Sequence, residues 1–314
     1  MEAGHRSIVI AAAGSEIAGE LAPTPRFNGE ITDAVREQAH EAQREAIEQA
    51  IRQCEPDLIH FHGLDFANYI PEGQTPKLAT LHLPVSWYPA QIFDLTGLTL
   101  NCVSESQAGT APAGHPMPVV KNGIDVEAFA KTNHERGPLL WLGRICPEKG
   151  VHLALRVAHR LALPLIVAGP VHPFEAHEVY FENEVKPLLD GARQWIGPVD
   201  FERKRMLLGE ARCLLVPSLA PETGSLAAME AIASGTAVIA FPSGALPEIV
   251  EDGVTGFIAG NEEEMANSVA RLVQIAPETC RATARQRFDF RRMTADYIAL
   301  YGQVLSESLS CAGR

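Results

Sequence analysis

Apolar segments of strand length alternate with helix-favouring segments through the second half of the chain, and this alternation restricts its fold more than any other feature. The predicted strands are Leu139 to Leu142, Leu165 to Ala168, Arg193 to Ile196, Cys213 to Val216 and Ala237 to Ala240. The predicted helices between them lie near Val151 to Leu161, Phe174 to Leu189, Phe201 to Ala211 and Leu226 to Ser234. Strands that alternate with helices form a parallel sheet with helices on both faces. The sequence therefore predicts a doubly wound α/β domain.

The first half shows the same alternation less regularly. Its predicted strands are Ser7 to Ala13, Leu58 to His62, Lys77 to His82 and Leu98 to Val103, with a long helix at about Thr32 to Gln53. A polar stretch, Lys131 to Gly137, separates the halves, and 314 residues exceed what a single core usually serves. We therefore expect two Rossmann-like domains facing across a cleft, at residues 1–135 and 136–289, followed by a C-terminal helix over 290–314.

Charge and cysteine usage limit the partners and the compartment. The formal net charge of -13 argues against a general nucleic-acid surface, so a bound phosphate would need local cations. The six cysteines have no CxxC or metal-ligand spacing, which favours reduced thiols and a cytoplasmic protein. Since no segment reaches the roughly 20 apolar residues that span a bilayer, membrane contact is expected to be peripheral at most.

Two cations follow the first strand of the second half. Gly143 and Arg144 come directly after that strand, and Lys149 precedes the next helix. Doubly wound sheets bind ligands beyond the carboxyl ends of their strands, and helix N-termini attract anions. This segment is compatible either with a diphosphate site or with a loop that carries two solvated cations.

A pair of carboxylates follows the strand at Cys213 to Val216. Glu222 lies in the loop and Glu230 in the following helix, while Gly224 and Ser225 leave backbone N–H groups open at the helix start. These carboxylates could accept hydrogen bonds from sugar and ribose hydroxyls. The alternative is that the helix dipole alone favours carboxylates at such positions.

Three histidines lie at predicted strand ends in the first half. His60 and His62 end one strand and His82 ends the next, which places them at the ligand-binding edge of a parallel sheet. A His-x-His pair also occurs in metal-dependent amidohydrolases, whose barrels need further metal ligands on later strands. Because that ligand set is not found, the amidohydrolase interpretation is a remote alternative.

Taken in order, these segments resemble family 4 of the retaining glycosyltransferases, which have the GT-B fold. The resemblance is carried by Val103-Ser104-Glu105-Ser106, Asn122-Gly123-Ile124-Asp125, Gly143-Arg144, Glu148-Lys149-Gly150, Glu222 with Glu230, Glu230-Ala231 through Gly235, and Gly244 to Gly256. It covers most of the chain from Leu58 to Ala259 and is densest from Pro138 onward. The resemblance implies an enzyme that transfers a sugar from a nucleotide-sugar donor, with retention and without a metal or other cofactor.

The resemblance also implies roles for particular residues. Arg144 and Lys149 would neutralise the donor diphosphate as it leaves. Glu222 would bind the transferred sugar and Glu230 the ribose, while His82 would line the reacting centre. The remaining donor-binding positions would be Gly143, Gly169, Gly224, Ser225 and Leu226. The final helix, from about Phe290 to Ser308, would brace the N-terminal domain.

The chain departs from the family pattern at two places. Gly224-Ser225 stands where the family usually has Phe-Gly, which removes an aromatic ring near the donor. Ahead of Ala3-Gly4-His5 the family usually has a strand, a glycine-rich loop and a helix, so we expect a shortened N-terminal domain. A catalytically silent nucleotide-sugar-binding module is therefore the second interpretation. The sugar, the base and the acceptor are not readable from these motifs.

Overall fold

The computed structural model describes residues 4–27, 32–129 and 137–312, with side chains described up to residue 308. The strands are β1 (Ile8–Ala12), β2 (Glu20–Thr24), β3 (Ile59–Phe61), β4 (Lys77–Leu81), β5 (Leu98–Cys102), β6 (Leu139–Leu142), β7 (Leu165–Ala168), β8 (Arg193–Trp195), β9 (Cys213–Val216), β10 (Val238–Ala240) and β11 (Gly256–Ile258). The α-helices are α1 (Asp33–Cys54), α2 (Glu105–Ala108), α3 (Val151–Arg160), α4 (Glu175–Tyr180), α5 (Phe201–Glu210), α6 (Leu226–Ala233), α7 (Leu246–Ile249), α8 (Glu262–Arg271), α9 (Pro277–Arg287) and α10 (Phe290–Ala312). No helix in the described ranges is both long and apolar enough to cross a bilayer.

Spatial contacts divide the chain into two compact units. The first comprises Met1–Asn101 and Ala299–Arg314, and the second comprises Cys102–Ile298. Helix α10 therefore contributes residues to both units. The boundary predicted between residues 135 and 136 lies where the chain is not described, and the predicted division into 1–135, 136–289 and 290–314 stays a prediction.

The second unit is built on a parallel sheet with the strand order β11-β10-β9-β6-β7-β8 among the described residues. Consecutive residues of β6, from Leu139 to Trp141, are at most 2% exposed, so both faces of this strand are covered. Helix α3 buries Val151, Ala154, Leu155 and Ala158, which recur at helical spacing. The predicted parallel α/β architecture is confirmed.

This strand order contains a topological switch point. From β6 the chain adds β7 and β8 on one side, and it then returns to place β9, β10 and β11 on the other side of β6. The connections that follow the adjacent strands β6 and β9 consequently run to opposite sides of the sheet. Open α/β sheets bind ligands beyond the carboxyl ends of two such strands.

The first unit contains two separate described sheets. Strands β1 and β2 form one parallel pair, and β3-β4-β5 form the other sheet. All five residues of β4 are buried, whereas no residue of β1 is fully buried. The core of this unit thus lies around β4.

The sequence prediction missed β2, β11, α2, α8 and α9. Strand β2 contains Pro23, and β11 has only three residues and begins at a glycine, so neither shows a continuous apolar run of typical strand length. The predicted helix from Phe174 to Leu189 is wrong in extent, because regular α-helix ends at Tyr180 and wider and tighter turns follow. Pro187 lacks an N–H and clashes with the preceding turn, which ends a regular helix.

Candidate functional site

Two loops meet at the switch point of the second unit. The backbone N–H of Leu219, after β9, donates to the carbonyl oxygen of Glu148, after β6, at 2.8 Å. Gly150 adopts a φ of +62°, and a Cβ there would overlap the carbonyl oxygen of Pro217. A glycine is therefore required for the two loops to pack this closely.

An ion pair joins these loops through two of the predicted residues. The Lys149 ammonium lies 2.6 and 2.8 Å from the two carboxylate oxygens of Glu222. The Ser218 hydroxyl donates a short hydrogen bond to the same carboxylate. The Glu222 side chain is 10% exposed and that of Lys149 is 29% exposed. The sequence places these residues 73 positions apart, and the fold brings them together.

Glu230 forms a second ion pair, with a lysine that the sequence analysis missed. Lys204 Nζ lies 2.6 Å from Glu230 Oε1, and it also lies 5.6 Å from the ring centroids of Phe129 and Phe201. Burial raises the pKa of Glu230, and the hydrogen bond and charge of Lys204 oppose that shift. In the sequence, Lys204 lies in a run of three basic residues, 203–205, near the start of α5. By itself such a run is typical of a solvent-exposed helix face, so it does not indicate a partner for Glu230.

Gly143 and Gly169 follow the neighbouring strands β6 and β7, and their backbones lie in contact. The Gly143 N–H donates to Ala168 at 3.1 Å, and Gly169 has a φ of +145°. A Cβ at Gly169 would overlap the Gly143 carbonyl oxygen. The ends of β6 and β7 can therefore approach each other only because Gly169 has no side chain.

The start of α6 carries the other predicted backbone positions. The Ser225 hydroxyl accepts from Ala228 N–H at 3.4 Å and so caps the helix, while Leu226 is 48% exposed. A Cβ at Gly224 would lie 2.8 Å from the Asn122 side-chain nitrogen. Gly224 and Asn122 both line a cavity of about 290 Å³ within this unit.

Glu248 holds the segment after β5 against this cavity. Its carboxylate accepts from the backbone N–H groups of Glu105 at 3.1 Å and of Ser106 at 2.7 Å, and it lies 3.2 Å from Lys121 Nζ. Lys121 and Glu248 line the same cavity as Gly224. Glu248 thus occupies the anion-favouring start of α2, a contact that sequence reasoning did not anticipate.

Arg144 differs from Lys149 in its surroundings. Its side chain is exposed, and within the described ranges it makes no hydrogen bond or salt bridge through its guanidinium. Lys149 and Glu222 are therefore brought together and Glu230 is paired with Lys204, whereas Arg144 forms no ion pair with either carboxylate among the described residues. An exposed guanidinium beside a helix start is open to an incoming anion.

The three histidines form a network in the first unit. His62 Nδ1 lies 3.0 Å from His82 Nε2, and His60 lies 2.7 Å from Thr80 Oγ1 and 2.9 Å from Tyr301 Oη. The Thr80 hydroxyl donates to Asn101, so its oxygen accepts a hydrogen bond from His60 Nε2–H, and His60 Nδ1 then accepts one from the Tyr301 hydroxyl. Burial, followed by the charges of His62 and His82, lowers the pKa of His60 to about 3.

The same causes act on the other histidines of this network. Burial, followed by the charge of His82, lowers the pKa of His62 to about 4, and burial lowers the pKa of His82. All three imidazoles are therefore neutral at pH 7. The amidohydrolase alternative is wrong for the fold, because the described strands form open parallel sheets instead of a closed barrel.

The described cysteines agree with the sequence expectation. Cys54, Cys102, Cys146, Cys213 and Cys280 are free thiols. Burial raises the pKa of Cys146 to about 11, and a hydrogen bond to Glu148 contributes to that shift. No disulfide links these described cysteines, and their reduced state stays a prediction.

Residues 136–274 match the family model described as glycosyl transferases group 1. This segment holds the whole six-stranded sheet and both ion pairs at the switch point. The matched segment thus contains most of the part of the chain, from Pro138 onward, in which the family motifs are densest.

Curated relatives are similar to this chain at low identity. A glycogen synthase of Mycobacterium tuberculosis is 28% identical over 230 residues, which cover 69% of this chain and 53% of that protein. The chain thus spans about half the length of that relative. A phosphatidyl-myo-inositol mannosyltransferase of Mycolicibacterium smegmatis is 23% identical, with coverage of 99% of this chain and 88% of the relative.

Solved structures are similar over nearly the whole chain. The glycosyltransferase AviGT4, involved in avilamycin A biosynthesis, has a TM-score of 0.72 at 23% identity and covers 97% of this chain and 86% of its own. Anabaena HepE, solved in complex with UDP-glucose, has a TM-score of 0.68 at 17% identity and covers 93% of this chain and 86% of its own. Residues 136–274 therefore have the sequence of a glycosyl transferases group 1 domain, in a chain that has the GT-B fold.

Proposed function

We propose that this chain is a retaining glycosyltransferase that moves a sugar from a nucleotide-sugar donor to an acceptor without a metal in the transfer step. The observation that carries the proposal is the Lys149–Glu222 ion pair at the switch point. It places one cation and one hydrogen-bond-accepting carboxylate where the loops of two neighbouring strands meet. A nucleoside diphosphate joined to a sugar presents the complementary groups.

The two cations of the loop after β6 are assigned to the diphosphate. Negative charge grows on the diphosphate as the bond to the sugar breaks, and preorganised cations lower the energy of that charge. Arg144 is exposed and open to an incoming phosphate. Lys149 already lies beside Glu222, so it can contact a phosphate while Glu222 accepts from a sugar hydroxyl. These two cations would supply the charge that a divalent metal supplies in metal-dependent enzymes.

The buried carboxylate is assigned to the ribose. Glu230 is 9% exposed, lies on α6 and keeps one carboxylate oxygen on Lys204. Its other oxygen can accept a ribose hydroxyl, as carboxylates in nucleotide-binding α/β domains do. Gly143, Gly169, Gly224, Ser225 and Leu226 complete the donor-binding set. HepE, which has the same fold, was solved with UDP-glucose, and this supports the donor class.

Nucleotide binding tests the diphosphate assignment. Calorimetric titration with UDP, GDP and ADP first identifies the base, and the tightest ligand is then titrated into Arg144→Ala and Lys149→Ala. Each variant is expected to lose roughly 1.5–3 kcal/mol, the scale of hydrogen bonds to charged groups, or about ten- to hundredfold in affinity. Lys186→Ala removes an exposed lysine paired with Glu182 and serves as the control. Unchanged affinity in both loop variants would exclude this assignment.

Turnover separates an enzyme from a silent binding module. Incubation with the matching nucleotide sugar and candidate acceptors should release the nucleoside diphosphate, and a chelator should leave the rate unchanged. The product's anomeric proton signal in NMR should report the donor's configuration. Tight nucleotide binding with no transfer or hydrolysis would favour the silent module instead.

His82 is assigned to the reaction from the sequence resemblance. Its lowered pKa keeps the imidazole neutral, so it can accept a hydrogen bond at pH 7. His82→Gln is expected to reduce turnover and leave nucleotide affinity within twofold of the unmodified protein. A parallel loss of nucleotide affinity would show that the histidine acts on the donor-binding unit or on folding.

A further inference from the structure

A cysteine, a glutamate and a histidine converge beside the loop that follows β6. One ligand atom from each of Cys146, Glu148 and His177 lies within 4.8 Å of the other two. Cys146 and Glu148 belong to the loop itself, and His177 belongs to α4. None of the three has a role in the proposed sugar transfer.

The histidine is incompletely bonded. Within the described ranges, the buried His177 Nδ1 has no hydrogen-bond partner. The Phe174 ring lies edge-on to the His177 ring, with centroids 5.2 Å apart and an interplanar angle of 89°. A buried polar atom without a partner costs free energy and calls for an explanation such as an unfilled ligand site.

The three groups have the chemistry of a thiophilic metal site. Thiolate sulfur, imidazole nitrogen and carboxylate oxygen are the protein ligands that Zn²⁺ takes in tetrahedral sites. Cys146 is buried and Glu148 is exposed, so the cluster has a dry side and a wet side. Three protein ligands with one open side match sites in which water takes the fourth position.

We propose that Cys146, Glu148 and His177 bind one Zn²⁺ ion, with water as the fourth ligand. Binding breaks the Cys146 S–H bond, forms a Zn–S bond and releases the proton to solvent. The thiol now lies 3.6 Å from the Arg144 carbonyl oxygen and hydrogen-bonds to Glu148, and the metal replaces both contacts.

The ion would tie α4 to the loop after β6. In the structure, that loop is held by backbone hydrogen bonds, such as the one from Leu219 N–H to the Glu148 carbonyl oxygen, and by the Lys149–Glu222 ion pair. A metal bound to Cys146 and Glu148 on one side and His177 on the other cross-links two elements about 30 residues apart. This site is separate from Glu222, and the proposal does not depend on the sugar-transfer assignment.

Metal titration of the full chain tests the site. The protein is first treated with a chelator under reducing conditions, and Zn²⁺ is then titrated against a chromophoric competitor. We expect one equivalent of Zn²⁺ and a higher melting temperature, since a ligand that binds only the folded state stabilises it. Co²⁺ as a probe should give the ultraviolet charge-transfer absorption of a metal–thiolate bond. Cys146→Ser should abolish that absorption, and His177→Gln should weaken Zn²⁺ binding at least tenfold.

Two controls separate this cluster from other thiols and imidazoles. Cys54→Ser changes a half-buried cysteine at the end of α1 and should leave the stoichiometry and the absorption unchanged. His62→Gln changes the histidine network of the first unit. Retained Zn²⁺ binding in both Cys146→Ser and His177→Gln, or loss confined to His62→Gln, would overturn the proposal. Unfolding curves of each variant show whether a lost site reflects a lost fold.

Discussion

The Lys204–Glu230 pair allows a quantitative test of how this unit tolerates a buried carboxylate. In Lys204→Met the apolar stem that packs near Phe129 and Phe201 is kept, while the ammonium 2.6 Å from Glu230 Oε1 is removed. The Glu230 side chain is 11% exposed, so water cannot fully replace the lost partner. The substitution therefore tests the charge and leaves most of the packing intact.

The magnitude follows from the burial of the pair. Removing one partner of a fully buried pair costs about 3–5 kcal/mol, and a hydrogen bond to a charged group contributes about 1.5–3 kcal/mol. Lys204 is 28% exposed, which places this pair toward the lower range. We expect Lys204→Met to lower the free energy of unfolding by about 2 kcal/mol at pH 7.

The pH dependence has a definite sign. Burial raises the folded-state pKa of Glu230 above its ordinary value of 4.5, and Lys204 opposes that shift. Without Lys204 the folded-state pKa of Glu230 rises further. Above that pKa the loss of unfolding free energy from an ionised, unpaired Glu230 is fully present. As pH falls through it towards 4.5, the carboxyl becomes protonated in the folded state and the difference between variant and unmodified protein shrinks.

Urea unfolding followed by tryptophan fluorescence is the assay, because Trp141 in β6 of the same unit is 2% exposed, whereas Trp87 and Trp195 are 61% and 36% exposed. Glu230→Gln and the double variant complete a thermodynamic cycle, whose coupling energy should exceed about 1 kcal/mol. Lys186→Met alters an exposed pair and should change stability by less than about 0.5 kcal/mol. A Lys204→Met protein as stable as the unmodified protein at pH 7, with no change towards pH 4.5, would refute the reasoning.

Three further predictions concern the backbone, the histidines and Glu248. In urea unfolding, Gly169→Ala should destabilise the second unit by more than about 3 kcal/mol, because φ is +145° there and the new Cβ would overlap a backbone oxygen. The control Gly197→Ala, where φ is +75° and the space is open, should cost about 1 kcal/mol. Acidification from pH 6.5 should destabilise the first unit by up to about 1.4 kcal/mol per pH unit through His60, whose folded pKa is about 3. His62, whose folded pKa is about 4, adds to this slope, so His60→Gln should reduce the pH dependence of the urea midpoint without abolishing it. Glu248→Gln should lower the free energy of unfolding by about 1–2 kcal/mol, since its carboxylate accepts from two backbone N–H groups; no measurable loss would show that the neutral amide serves equally well.

The amino-acid sequence by itself predicted the strands of the second unit closely. Strands β6, β7 and β9 have the predicted ends, because strands buried on both faces appear as short continuous apolar runs bounded by turn residues. Glu222, Lys149 and the loops that carry them were also found from residue type and position after those strands. Strand β2, which contains Pro23, and strand β11, which has only three residues, were missed.

Tertiary structure decided which charges meet. Lys149 pairs with Glu222 across 73 positions, and Lys204 pairs with Glu230 across 26. The His177 ring reaches Cys146 and Glu148 only because α4 returns to the loop after β6. Local sequence determines whether a segment forms a strand or a helix, since those preferences depend on neighbouring residues. The partners of a side chain depend on strand order and loop packing, which arise from contacts between segments far apart in the chain.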